Sequence, residues 1–180
     1  IKGFEENEFW IDYYKVIGTN LLNQSGERTL HTAIIPPQTS HIQAATSVAF
    51  RSEYSMLEFS ALTSSIVLDY FIKSVAVPKI SKVVYNTFPL CDEKKFISYL
   101  FIRILQLNCL NKYYSPLWER NWQESFKEDS WSKSDSRLKP FNTLTKEWKW
   151  ETPLRNYFER RWALIEIDVI VAMALGLTLA

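Results

Sequence analysis

Glu27-Arg28-Thr29-Leu30-His31-Thr32-Ala33-Ile34-Ile35-Pro36-Pro37 opens the stretch, 27–90, whose reading decides the fold. From Thr29 to Ile35 the residues are apolar and β-branched. Pro36-Pro37 ends the run, because proline has no N–H to give a ladder, so the pattern predicts a strand. After a polar loop, Thr46-Ser47-Val48-Ala49-Phe50-Arg51 reads as a second short strand. Met56 to Phe71 is mostly apolar and free of Gly and Pro, which predicts one buried helix rather than a one-faced amphipathic helix. Lys79 to Leu90 reads as another extended piece, closed by Pro89.

Working outward, Asn7 to Val16 is aromatic-rich, and its periodicity fits either a strand or a short helical run. Trp10 within it reads as a core anchor. Residues 20–28 hold Asn, Gln, Ser and Gly and read as a turn. Asp92 to Lys112 predicts a helix, with Asp92 accepting an N–H at its start and Glu93 favouring the positive end of the dipole. Its buried stripe would be Phe96, Tyr99, Leu100, Ile104 and Leu107, and Arg103 falls on that apolar face, where it needs an ion partner or must snorkel. From Tyr113 to Trp150 five tryptophans are mixed with charged residues and two prolines, which predicts a long loop with short helical turns. Its tryptophans either pin the loop to the core or stack on bases. Pro153 to Gly176 predicts a long helix capped by Thr152, started by Pro153 and stopped by Gly176. Leu154, Phe158, Trp162, Ile165, Val169 and Ala172 would form its buried face, with Arg155, Glu159 and Glu166 off it.

The totals set limits. At 180 residues, 47% hydrophobic and 23% charged, the chain has the composition of an ordinary globular protein. The reading divides it into a domain over 1–150, with 113–150 as the aromatic loop, and a C-terminal helix over 151–180. The class is α+β: a small antiparallel or mixed sheet packed by helices, with a long C-terminal helix. Four glycines argue against a glycine-lined nucleotide site. Cys91 and Cys109 make neither a disulfide scaffold nor a zinc site, and read as reduced cysteines. His31 and His41 lack the partners that a metal or general-base role requires.

No leader peptide is read, and Glu166 and Asp168 interrupt the longest apolar run, so no membrane span and a cytoplasmic location are expected. The start at Ile1 and the end at Ala180 suggest a segment of a longer chain. Net charge is +1, but residues 1–60 carry four basic against seven acidic groups, whereas 61–115 carry seven against three. A basic middle third suits a phosphate-facing surface and equally a solvated lysine-rich face.

Glu27-Arg28-Thr29 with Ala33 to Pro37, then Ser47 to Arg51, then Leu62 to Val75, then Phe88-Pro89-Leu90 follow one another in an order that resembles a known family. It is the target-recognition region of large adenine-N6 DNA methyltransferases, those of type IIG restriction–modification and the PglX-like or DISARM-type phage-defence enzymes. Arg160 to Ala180 also resembles the segment that follows this region there.

The resemblance implies a reader without its own active site, whose parent is a site-specific adenine methyltransferase with or without endonuclease activity. Double-stranded DNA and the catalytic methyltransferase domain of the same parent chain would be its partners. S-adenosylmethionine would belong to the parent, and this segment would hold no cofactor. A glycine-rich loop and an Asn-Pro-Pro-Tyr-type motif are missing, since Pro36-Pro37 follows Ile35 and precedes Gln38. Glu93-Lys94-Lys95 fits half of a nuclease pattern but lies at an expected helix start. Base reading needs Arg, Lys, Asn or Gln on loops or strand ends. Candidates are Arg28, Arg51, Lys73, Lys79, Lys82 and Asn86, with Arg28 equally suited to a tie to Glu27 or a backbone carbonyl. The rival readings are a domain docking the methylase to partner subunits through the loop 113–150, and a general single-strand binder.

Overall fold

The computed structural model describes residues 2–22, 25–75, 79–89, 91 and 94–177; the side chains of Lys82 and Lys94 lie outside that description. The chain forms two compact units, Ile1–Leu90 and Cys91–Ala180. The boundary expected at 150/151 falls within the second unit. The class is α+β, with a three-stranded antiparallel sheet and a long C-terminal helix.

In the first unit, β1 (Lys15–Thr19) lies between β2 (Thr32–Ile35) and β3 (Ala45–Ala49). The central strand takes only Lys15 and Val16 from the run Asn7–Val16, whose periodicity fits strand or helix; Trp10–Asp12 in that run forms a 3-10 turn. Val16 pairs with Ile34 on one side and Val48 on the other. Because side chains alternate along a strand, Val16, Gly18, Thr32 and Ile34 share one face, and Lys15, Ile17, Ser47 and Ala49 the other. The first face meets α1 (Glu53–Ser64): Thr32 Oγ1 lies 3.0 Å from Thr63 Oγ1.

β2 is shorter than the expected Thr29–Ile35. The N–H groups of Thr29 and Leu30 donate to the Asp69 carboxylate at 2.5 and 2.6 Å, so they make no ladder bonds. β3 ends at Ala49, which leaves Arg51 outside the strand.

The single helix expected over Met56–Phe71 is two. α1 is buried without a break from Met56 to Thr63, as read, but α2 (Ile66–Val75) follows at 69° and buries only Leu68, Asp69 and Ile72. The break needs neither Gly nor Pro. Ser65 is extended at φ −84° and ψ 150°, its hydroxyl donates to the Leu62 carbonyl at 2.7 Å, and it accepts from Leu68 N at 3.3 Å. Hydroxyl side chains compete with the helical ladder in this way. Among the described residues no single helix is long and apolar enough to cross a bilayer.

The extended piece expected over Lys79–Leu90 is also corrected. Lys79 makes one isolated bridge to Leu21, and a short helix, α3 (Lys82–Tyr85), follows. Its turn delivers Tyr85 and Phe88 to Phe59, at ring-centroid distances of 5.6 and 5.9 Å. Burial of these rings outweighs the β-preference of Val83 and Val84. Burial pushes the Tyr85 phenol up to about 12.

Gly18 makes room for that phenol. A Cβ there would lie 2.4 Å from Tyr85 Oη and 3.3 Å from Thr32 Cγ2. Gly18→Ala is expected to cost ~1–3 kcal/mol, because Tyr85 is held by Phe59 and Phe88 and has little room to yield. An unshifted urea midpoint for this variant would show that the tyrosine moves freely.

In the second unit, α4 (Ile97–Asn108) is buried at Ile97 and continuously from Leu100 to Leu107. Leu100, Ile104 and Leu107 of the expected stripe are buried, whereas Phe96 is half-buried in a 3-10 turn before α4 and Tyr99 is 45% exposed. Asp92 and Glu93, read as the helix start, lie outside the described residues. Arg103 has the ion partners its position demanded: Glu166 at 2.7 Å and Asp129 at 2.5 Å.

The run 113–150 is a loop with short turns, as expected, among them α5 (Ser115–Arg120). Its tryptophans do pin it. Trp118 is fully buried and donates to Thr145 O, Trp131 donates to Lys139 O, and Trp148 donates to Cys109 O, at 2.8–2.9 Å. Trp150 is the exception at 62% exposure.

The last helix, α6 (Tyr157–Ala174), starts later than read. Asn156 caps it by accepting from Glu159 N at 2.8 Å, whereas Thr152 Oγ1 accepts from Lys149 N. Gly176, at φ +70°, ends it as expected. The buried face is not the one predicted: Glu159, Ala163, Glu166, Ile167, Val171 and Ala174 are inside, while Ile165 and Val169 are 40% and 55% exposed. Glu166 lies on this inner face, where it pairs with Arg103, beside Ala163, Ile167 and Val171.

Candidate functional site

The six residues read as DNA contacts divide by what holds them. Arg28 Nη1 donates to the Ser64 carbonyl at 2.7 Å. Lys73 Nζ donates to the carbonyls of Gly26 and Glu27 at 3.0 and 3.1 Å and pairs with Asp69 at 3.0 Å. Both side chains therefore clamp the segment 26–30 onto α1 and α2, and the structural alternative for Arg28 is the one observed.

Arg51 is exposed just past β3, with its guanidinium 5.2 Å from the Phe4 ring centroid. Lys79 and Asn86 are exposed on either side of α3. The Lys82 side chain lies outside the described residues. Arg51, Lys79 and Asn86 are thus the candidates whose side chains the first unit leaves at its surface.

Sequence reasoning missed a cleft on the other face of the sheet. It has a volume of about 440 Å³ and is lined by Phe9, Trp10, Ile11, Lys15, Thr39, Ser40, His41 and Ser47. A short 3-10 turn, Trp10–Asp12, forms one wall. The Asp12 carboxylate fastens that turn, accepting from Phe9 N at 2.8 Å and from Gln38 Nε2 at 2.7 Å. Gln38 holds φ +60°, a left-handed conformation that costs a non-glycine residue energy, and its N–H donates to Ile11 O at 2.7 Å. Trp10 is half-buried in the wall rather than anchored in the core.

Lys15 forms the floor and is 1% exposed. Its ammonium reaches the Trp10 carbonyl at 3.4 Å. On the rim, His41 Nε2 lies 2.8 Å from Ser47 Oγ, and His41 Nδ1 lies 3.0 Å from the Ile42 carbonyl. A carbonyl only accepts, so Nδ1 carries hydrogen and a neutral ring accepts at Nε2 from the Ser47 hydroxyl. Lys15 falls in a run whose periodicity fits strand or helix, so its place on a sheet face did not follow from the sequence. Nor did the cleft above it, because Thr39, Ser40 and His41 come from a loop without periodicity.

Burial holds the Lys15 ammonium below the ordinary lysine value, with Asp12 opposing. Between the lowered value and the ordinary one, the folded chain binds fewer protons than the unfolded chain. Stability due to this group therefore rises with pH across that window. Lys15→Met is expected to raise the urea midpoint at neutral pH and to remove this rise, measured between neutrality and about pH 10. A variant less stable than the parent at neutral pH would contradict a strained, buried cation.

In the second unit, Tyr99, Ile165, Val169, Ile170 and Met173 line an apolar groove of about 320 Å³ beside the Arg103–Glu166 pair. Among the described residues no group of three His, Cys, Asp or Glu side chains is placed to hold a metal ion. No protein-family model, no curated protein and no solved structure matches the chain.

Proposed function

We propose that the chain is the DNA target-recognition module of an adenine-specific DNA methyltransferase of a restriction–modification or phage-defence system. It binds double-stranded DNA beside the catalytic methyltransferase domain of the same parent chain, which holds S-adenosylmethionine and performs the transfer. The order of residues from Glu27 to Leu90 that resembles such regions is the basis of this reading. The observation that carries it furthest is the exposure of Arg51, Lys79 and Asn86, residue types that donate to phosphates and base edges, on one small α+β unit.

Electrophoretic binding to random and methylated duplexes at two salt concentrations tests the reading. Salt-sensitive binding is expected, weakened in Arg51→Ala and Lys79→Ala with folding intact. Absence of salt-sensitive binding would favour the rival, a domain that docks the methylase to partner subunits. The groove at Tyr99, Ile165, Val169 and Met173 supports that rival better than the loop 113–150, whose tryptophans are largely committed to the fold.

A further inference from the structure

The cleft above Lys15 supports a more specific statement, which rests on the DNA-reading function. We propose that it receives one unpaired, extrahelical nucleobase carrying a ring carbonyl, recognised by the Lys15 ammonium.

Lys15 has three N–H donors, 1% exposure and a single acceptor among the described residues, the Trp10 carbonyl at a long 3.4 Å. The neighbouring Asp12 attracts the ammonium but makes no hydrogen bond or ion pair with it; its two oxygens accept from Phe9 N and Gln38 Nε2. A buried cation short of acceptors is costly, and a ligand oxygen entering the cleft would relieve that cost. The walls favour a flat, apolar body: Phe9, Trp10 and Ile11 line the space, and aromatic side chains stack on bases irrespective of sequence. The rim offers Thr39, Ser40 and the His41–Ser47 pair for the remaining polar edge or the sugar.

Depth decides between a paired and an unpaired base. Within a duplex a base shows only its edge to the groove, and a lysine 1% exposed has no reach to it. A base taken out of the stack enters the cleft whole, as in enzymes that extrude a nucleotide into a pocket. Guanine, with O6 and N7, and thymine, with O4, offer acceptors to an ammonium. Adenine sets its N6 amino group beside N7 and is disfavoured.

Fluorescence anisotropy with three labelled duplexes tests this: one fully paired, one with a single bulged guanine and one with a single bulged adenine. Wild type is expected to bind the guanine bulge about tenfold more tightly than the paired duplex, and the adenine bulge less tightly than the guanine bulge. Lys15→Met is expected to abolish the preference while retaining paired-duplex binding. His41→Ala, on the rim, is expected to reduce the preference partially. Salt-sensitive binding without a bulge preference, or a preference that survives Lys15→Met, would overturn the cleft assignment and leave the DNA-reading function standing. No salt-sensitive binding to any of the three would overturn both.

Discussion

Glu166→Ala is expected to destabilise the chain by about 3–5 kcal/mol, the largest effect of any single change considered. Glu166 is 6% exposed and fully engaged. Its Oε2 accepts from Arg103 Nε at 2.7 Å, and its Oε1 accepts from Ser132 N, Ser132 Oγ and Trp162 Nε1 at 2.6–3.0 Å. Arg103 is equally enclosed: it also donates to Asp129 Oδ2 and to the carbonyls of Tyr99 and Ser130, and its guanidinium lies 5.4 and 5.0 Å from the ring centroids of Trp131 and Phe141. Removing the carboxylate leaves that guanidinium, 3% exposed, with Asp129 as its one ion partner among the described residues. The pair need not add net stability over a hydrophobic replacement, so Arg103→Met/Glu166→Leu should cost clearly less than the two single changes summed. Urea unfolding followed by tryptophan fluorescence measures both. A loss below about 0.5 kcal/mol for Glu166→Ala would place the network on the ordinary surface scale.

Asp69→Ala is the second large effect, at about 3 kcal/mol. The Asp69 carboxylate, 2% exposed, accepts from two backbone N–H groups and from Lys73. Hydrogen bonds to a charged group contribute roughly 1.5–3 kcal/mol each, and orphaned buried N–H groups add their own penalty. The segment 26–30 would then lose its anchor on α2. Lys73→Ala and Arg28→Ala should reduce DNA affinity only as far as they reduce stability, whereas Arg51→Ala should reduce affinity alone. Comparing unfolding midpoints with binding constants across these four variants separates the two classes. An affinity loss in Lys73→Ala without destabilisation would return that lysine to the proposed DNA surface.

Much of the fold was legible because it rests on local patterns. Thr32–Ile35, the buried α1, the helix around Arg103 and the stop at Gly176 all follow from periodicity, capping and burial rules. What failed did so for tertiary reasons. Thr29 and Leu30 look like strand residues until Asp69, forty positions away, takes their N–H groups. Val83 and Val84 look like strand residues until Tyr85 and Phe88 find Phe59. The inner face of α6 carries Glu159 and Glu166, the latter paired with Arg103, so a hydrophobic count along that helix alone picks the wrong side.

The candidate contacts divided for the same reason. A basic residue near a strand end gives no sign of whether a carbonyl awaits it, as Ser64 awaits Arg28. Lys15 is the one charged residue of β1, and its burial became visible only when residues 9–11 and 39–41 closed over it.

Selection of duplexes from a fully randomised pool, with the chain as it stands and at near-physiological salt, tests the account most directly. A reader of DNA sequence will enrich a single motif over successive rounds, and the enrichment will weaken in Arg51→Ala or Lys79→Ala. Retention of DNA with no enriched motif, or no retention at all, would contradict it.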